Sequence, residues 1–140
     1  MSGALFTGLG VALATPFTTG TESADKPAVG GGSSRKRPAV DLAAYRTLVQ
    51  HVVAGGADFL VVLGSTGEAA TVDECERADL IATARAAAPG VPIVVGTGHN
   101  NTEYAVELSR AAVTSGADGL LVVTPYYNKP QPAGIVAHFR

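Results

Sequence analysis

Cys75 is the only cysteine among 140 residues, so no internal disulfide can brace the chain, and a reducing cytoplasm is the simplest compartment. No apolar run approaches the roughly 20 residues that a membrane-crossing helix needs. Basic charge is also scarce: the formal net charge of −2 is spread over scattered Lys, Arg, Asp and Glu, which speaks against nucleic acid or an anionic membrane as partner. The first basic residue is Lys26, so the apolar start MSGALFTGLGVALATPF lacks the positive region of a signal peptide. Glycines and Pro16 interrupt it, and it reads as a buried first strand. His51, His99 and His138 lie in unrelated units without a cysteine or carboxylate cluster, so no metal site is expected, and His99 reads as a loop hydrogen-bonder.

What the chain does have is four short runs of Val, Leu and Ile: GVALAT (10–15), FLVVLG (59–64), PIVVGT (92–97) and GLLVVT (119–124). Continuous rather than alternating apolar strands suit a parallel sheet covered on both faces. Helical spacing fills 42–54, 74–88 and 102–115. Asp41 is placed to cap the first helix, and Thr71 with Glu74 makes a capping-box pattern at the start of the second. Gly55, Gly90 and Gly116 follow the helices, where a left-handed residue costs glycine little. Strand and helix therefore alternate with a repeat of about 30 residues, as in successive βα units. GADFLVVLGST (56–66) and GADGLLVVTPY (116–126) echo one another two units apart. Residues 18–40, rich in Gly, Ser, Pro and charge, break this order and read as a mobile, disordered insert in a single domain spanning 1–140. Its basic RKR cluster is read as a solvated loop.

In a barrel of βα units, chemistry sits in the loops after the strands. Those loops are TPF, GSTGEA, GTGHNNT and TPYYNKP. GSTGE (64–68) combines glycines, two hydroxyls and Glu68 before a helix, a composition that suits a carboxylate or phosphate; a plain strand-to-helix turn in which Glu68 accepts backbone hydrogen bonds is the other reading. GTGHNN (96–101) fails as a dinucleotide fingerprint, because Asn101 stands where the third glycine belongs and Asp118 precedes a strand instead of ending one. No cofactor is expected. Tyr126 and Tyr127 can relay protons within a chain of hydroxyls or seal a rim or interface, and the two roles are compatible.

Taken together, GVALATPF, GSTGEAATVDECE, VVGTGHNNT and TPYYNKP, in this order and at this spacing, resemble the 4-hydroxy-tetrahydrodipicolinate synthase (dihydrodipicolinate synthase) family of pyruvate-dependent, Schiff-base class I aldolases. The resemblance implies an α/β fold, the first half of a TIM (β/α)8 barrel with about four βα units. It implies a lyase-type synthase of the lysine and diaminopimelate route, acting on pyruvate and aspartate semialdehyde through a lysine imine. By motif, Thr66 would bind the pyruvate carboxylate, and Ser65 would pass protons where many members carry threonine. Serine lacks the methyl that fixes the threonine rotamer, so its relay geometry is looser. Tyr127 would reach across a dimer interface into the neighbour's site, in a homodimer or homotetramer of full-length chains. Asn100 and Tyr126 match positions of effector contact in lysine-inhibited members, whereas Glu74 and Tyr104 replace residues those members often carry. GSTGE alone also fits N-acetylneuraminate lyase-like or keto-deoxy sugar acid aldolases, and a non-catalytic half-barrel interaction module is the reading of another class. Such barrels run to about 250 residues, so a partial chain is expected, lacking the Schiff-base lysine, a second relay tyrosine and an arginine. Lys26, Lys36 and Lys129 all fall outside the apolar strands, where desolvation could lower an amine's pKa.

Overall fold

The computed structural model describes residues 5–19 and 38–140. Four strands, β1 (Gly10–Ala12), β2 (Phe59–Val62), β3 (Ile93–Gly96) and β4 (Gly119–Leu121), form one parallel sheet in the order β1-β2-β3-β4. Helices α1 (Leu42–Ala54), α2 (Glu74–Ala87) and α3 (Thr102–Thr114) connect them, and α4 (Pro132–His138) follows β4. The expected run of βα units is therefore present. Each strand is shorter than its apolar run, because the last residues of the run bend away into the following loop. Leu63, for example, leaves β2 with φ 58°.

Burial explains the strand pattern. Leu60, Val62, Ile93 and Val95 are buried in one cluster with Tyr45 and Val49 of α1, Leu80, Ile81 and Ala84 of α2, and Ala112 of α3. Their neighbours Phe59, Val61 and Val94 are only half-buried, and Ala12 and Leu121 are exposed. Helices thus cover one face, where the continuous runs suggested cover on both. On the other face Phe6 and Phe59 meet edge to face with ring centroids 5.6 Å apart, next to Gly10 and Gly119.

The helix ends show which local rules operate. The Asp41 carboxylate accepts the N–H groups of Ala43 at 3.1 Å and Ala44 at 2.9 Å, the expected cap. At α2 the capping box is Asp73 with Glu76, not Thr71 with Glu74: Glu76 N–H donates to Asp73 at 2.9 Å and Asp73 N–H to Glu76 at 3.0 Å. Thr71 instead closes a short 3-10 turn (Ala69–Thr71), its hydroxyl donating to the Glu68 carbonyl at 2.9 Å. After α1 the left-handed residue is Gly56 (φ 95°), while Gly55 has φ −75°.

The internal echo reflects one repeated device. Gly56 N–H donates to Val53 and Ala57 N–H to Val52, just as Gly116 N–H donates to Val113 and Ala117 N–H to Ala112. This double bond pattern is a Schellman ending. Asp58 then accepts the Leu9 N–H at 2.7 Å and Asp118 accepts the Ile93 N–H at 2.8 Å, so each aspartate ties the start of its strand to the preceding one. Asp118 carries one addition. Arg85 of α2 donates to it at 2.5 Å and also to the carbonyls of Gly116 (2.6 Å) and Val91 (3.1 Å).

Of the insert read over 18–40, residues 20–37 lie outside the described residues. Its two ends are held together. Phe17 pairs antiparallel with Val40, Thr18 N–H donates to the Ala39 carbonyl at 2.8 Å, and Asp41 N–H donates to Pro16 at 2.9 Å.

Candidate active site

All four candidate loops emerge at the C-terminal edge of the parallel sheet. Leu63, a buried leucine at φ 58°, turns the chain out of β2. Its carbonyl crosses directly over Gly96, where an added Cβ would lie 1.9 Å from that oxygen. Only glycine leaves room at this crossing. The turn that follows, Ser65–Gly67, is a single 3-10 turn closed by Gly67 N–H to Gly64 (3.0 Å) and Glu68 N–H to Ser65 (3.1 Å). Glu68 is again left-handed (φ 50°). Ser65 and Thr66 are exposed, and their hydroxyls make no hydrogen bond among the described residues. They are free to receive a ligand.

From the β1 side the turn is gripped by Thr15, whose buried hydroxyl donates to the Gly67 carbonyl at 2.6 Å. The TP dipeptide at the end of an apolar run was the only sequence signal for this residue, and it does not name a partner 52 positions away.

The β3 loop is capped by Asn101, whose side chain accepts from Glu103 N–H at 3.0 Å and Tyr104 N–H at 3.4 Å. His99 accepts the Asn101 N–H through Nδ1 at 3.0 Å, the loop role expected of it. Its ring packs edge to face on Tyr104 (4.9 Å) and Tyr126 (6.1 Å). Asn128 ties the last loop to this one by donating to the Asn100 carbonyl at 3.0 Å. The loops that carry Asn100 and Tyr126 thus meet through Asn128 and His99.

Tyr104 also donates to Glu74 at 3.4 Å. Burial and the adjacent Glu74 carboxylate raise the phenol's pKa, with Arg77 pulling the other way. Burial lowers the pKa of Arg77, opposed by Tyr104 and Glu74. These three residues line a cavity of about 150 Å³ between α2 and α3, whose wall includes Leu63, Ile81, Val95 and Leu108. The grouping joins residues 30 positions apart; the family resemblance had named Glu74 and Tyr104 together, whereas Arg77 had no signal in the sequence.

Tyr127 stands apart. It is 92% exposed, with φ 67°, and no hydrogen bond or ring contact links it to Ser65 or Thr66 among the described residues. Lys129 is exposed in the same loop with φ 47°. Leu63, Glu68, Tyr127 and Lys129 are the non-glycine residues with positive φ among those described, and all four lie in the loops after β2 and β4. What the structure assembles is an exposed hydroxyl turn tied to Thr15 and entered across Gly96, and an aromatic and amide cluster that joins the loops after β3 and β4.

Comparison with known proteins matches the sequence and fold of the chain to one family. The sequence model of the dihydrodipicolinate synthetase family matches residues 33–140. The 4-hydroxy-tetrahydrodipicolinate synthase of Salinibacter ruber is 47% identical over 135 residues, covering 96% of this chain and 39% of that protein. Its counterpart in Porphyromonas gingivalis is 42% identical over 141 residues, covering 100% and 42%. Among solved structures, the dihydrodipicolinate synthase of Thermotoga maritima superposes with a TM-score of 0.82 at 38% identity, covering 97% of this chain and 40% of that one. A monomeric dihydrodipicolinate synthase variant gives 0.81 at 38% identity, covering 96% and 39%. The chain spans about 40% of the length of these relatives.

Proposed function

The chain belongs to the dihydrodipicolinate synthetase family, and on that basis we propose that it supplies the first four βα units of a 4-hydroxy-tetrahydrodipicolinate synthase acting in the cytoplasm. The reaction condenses pyruvate with aspartate semialdehyde through an imine on a lysine, in lysine and diaminopimelate biosynthesis. The observation that carries this reading is the Ser65–Gly67 turn: two exposed, unengaged hydroxyls at the C-terminal edge of the sheet, held by Thr15 on one side and entered through the Leu63–Gly64 peptide that crosses Gly96.

In this reading Thr66 receives the pyruvate carboxylate through its hydroxyl and backbone N–H, and Ser65 passes a proton by its hydroxyl, which donates and accepts at once. Tyr127 completes the relay in a neighbouring subunit of a homodimer or homotetramer. Its exposure and its lack of contact with Ser65 and Thr66 support that assignment. The imine needs an amine that can lose its proton, which a lysine achieves when desolvated in an apolar wall. Lys129, exposed in a polar loop, does not meet that requirement, and Lys26 and Lys36 lie outside the described residues. In the sequence all three lysines fall outside the apolar strand runs, so in this reading the nucleophile comes from outside these 140 residues.

Two measurements test this. The product of the gene, with any coding sequence that follows codon 140, is expected to consume pyruvate only when aspartate semialdehyde is present; cleavage of a keto-deoxy sugar acid without that condensation overturns the assignment. Residues 1–140 alone, treated with pyruvate and borohydride, are expected to gain no stable adduct by mass spectrometry. A reduced adduct on any of the three lysines would show that the chain holds its own nucleophile.

A further inference from the structure

We propose that Thr15 is a positioning residue for the ligand-binding turn, acting through its hydroxyl on the Gly67 carbonyl. The inference rests on the reading that Ser65 and Thr66 receive the substrate carboxylate. Thr15 is 6% exposed, and its bond to Gly67, at 2.6 Å, is the one side-chain hydrogen bond made to residues 64–67 among the described residues. The contact is close on both sides. A Cβ added to Gly67 would lie 3.0 Å from the Leu13 carbonyl and 3.5 Å from the Thr15 hydroxyl. The strand exit that carries Thr15 is itself fixed, because Leu13 N–H donates to Val61 at 2.9 Å.

The turn needs such a tether because of what flanks it. Leu63 and Glu68, one on each side, hold left-handed backbone that their side chains disfavour, at φ 58° and 50°. A segment between two strained residues can relieve either one by rotating its peptide planes. Any such rotation moves Ser65 and Thr66, whose own side chains hold nothing. The Thr15 hydroxyl fixes the plane of the Gly67–Glu68 peptide and thereby the direction in which the two exposed hydroxyls point. Valine has the shape of threonine without the donor, so Thr15→Val removes the tether and leaves the packing. Thr15→Ser keeps it.

The test uses 15N-labelled chain 1–140, its Thr15→Val and Thr15→Ser variants, and sodium pyruvate as the probe. Thr15→Val is expected to stay folded, to shift the amide resonances of residues 65–68, and to weaken pyruvate binding about fivefold, the effect of one net hydrogen bond. Thr15→Ser is expected to restore both. Unchanged amides and affinity in Thr15→Val overturn the proposal, as does an equal loss in Thr15→Ser, or an unfolded Thr15→Val. If the unmodified chain binds no pyruvate, the turn needs the lysine from outside these residues to hold it; the functional reading then rests on the condensation assay, and the amide shifts of the two variants decide the role of Thr15.

Discussion

Asp58 and Asp118 sit at the same place in the repeated unit, and their difference allows a controlled measurement. Each accepts one backbone N–H from the preceding strand's start, at 2.7 Å and 2.8 Å, but only Asp118 also receives Arg85. A hydrogen bond to a charged acceptor contributes about 1.5–3 kcal/mol, toward or below the lower figure when exposed. Asp58→Ala should therefore cost about 1 kcal/mol. Arg85 and Asp118 are each 34% exposed, so solvent screening limits their ion pair to about 1 kcal/mol. Asp118→Ala should then cost about 2 kcal/mol in total. Urea denaturation of the single variants and of the Arg85→Ala/Asp118→Ala pair, read as a double-mutant cycle, gives the coupling directly. The pH dependence has a definite sign. Burial pushes the Asp118 carboxyl up, but the hydrogen bonds from Arg85 and the Ile93 N–H outweigh it and hold its pKa below the ordinary 3.8. The stabilisation is therefore complete above that ordinary value and is lost as pH falls through the lower folded value. The gap between wild type and Asp118→Ala should be full at pH 7 and begin to close only below about pH 4. A coupling under about 0.3 kcal/mol at pH 7, or equal costs for the two aspartates, would refute the assignment of the difference to Arg85.

Gly96→Ala places a methyl 1.9 Å from the Leu63 carbonyl, a backbone atom that cannot rotate away, so a loss of about 3 kcal/mol and displaced Ser65 and Thr66 amide resonances are expected. A melting temperature within a degree of wild type would remove the crossing from the account. Tyr45 is 1% exposed and its hydroxyl finds no hydrogen-bond partner among the described residues, so Tyr45→Phe should raise stability by about 1 kcal/mol, visible as a few degrees in a thermal melt. Burial also raises the phenol's pKa from its ordinary 10.0. The wild-type chain should thus lose stability as pH rises above 10, while Tyr45→Phe should not share that loss.

The elements were legible where one local signal decided them. α1 runs over the 42–54 read from periodicity because Asp41 caps it and the Gly-Gly pair ends it. α2 begins at Glu74 as read, but through Asp73 and Glu76. Thr71 with Glu74 and Asp73 with Glu76 offer the same capping pattern two residues apart, and the preceding 3-10 turn decides between them by engaging the Thr71 hydroxyl. Strand ends were less legible, since Leu63 is as apolar as Val62 and only its backbone differs. In the site, the hydroxyls of Ser65 and Thr66 and the exposed phenol of Tyr127 follow from composition and motif. The grip of Thr15 and the gap at Gly96 do not, because each exists only against an atom brought there by another strand.

The two edges of the sheet differ in how they obtain left-handed backbone. At the N-terminal edge, Gly8, Gly56, Gly90 and Gly116 supply it ahead of the four strands, at φ between 82° and 98°. Glycine adopts these values without steric conflict, so that edge is built for stability. At the C-terminal edge the same hand of backbone is taken by Leu63, Glu68, Tyr127 and Lys129, and each carries a cost of roughly 1 kcal/mol that a glycine would avoid. A fold able to place glycine ahead of every strand was not short of glycine; the side chains at these four positions are therefore worth their strain. For Leu63 the return is packing, since it is buried and lines the α2–α3 cavity. Tyr127, almost fully exposed, gains little packing among the described residues to offset it, and Glu68 and Lys129 are exposed as well. Strain of this kind gathers at functional sites, and among the described non-glycine residues it falls entirely in the loops after β2 and β4, at the C-terminal edge of the sheet.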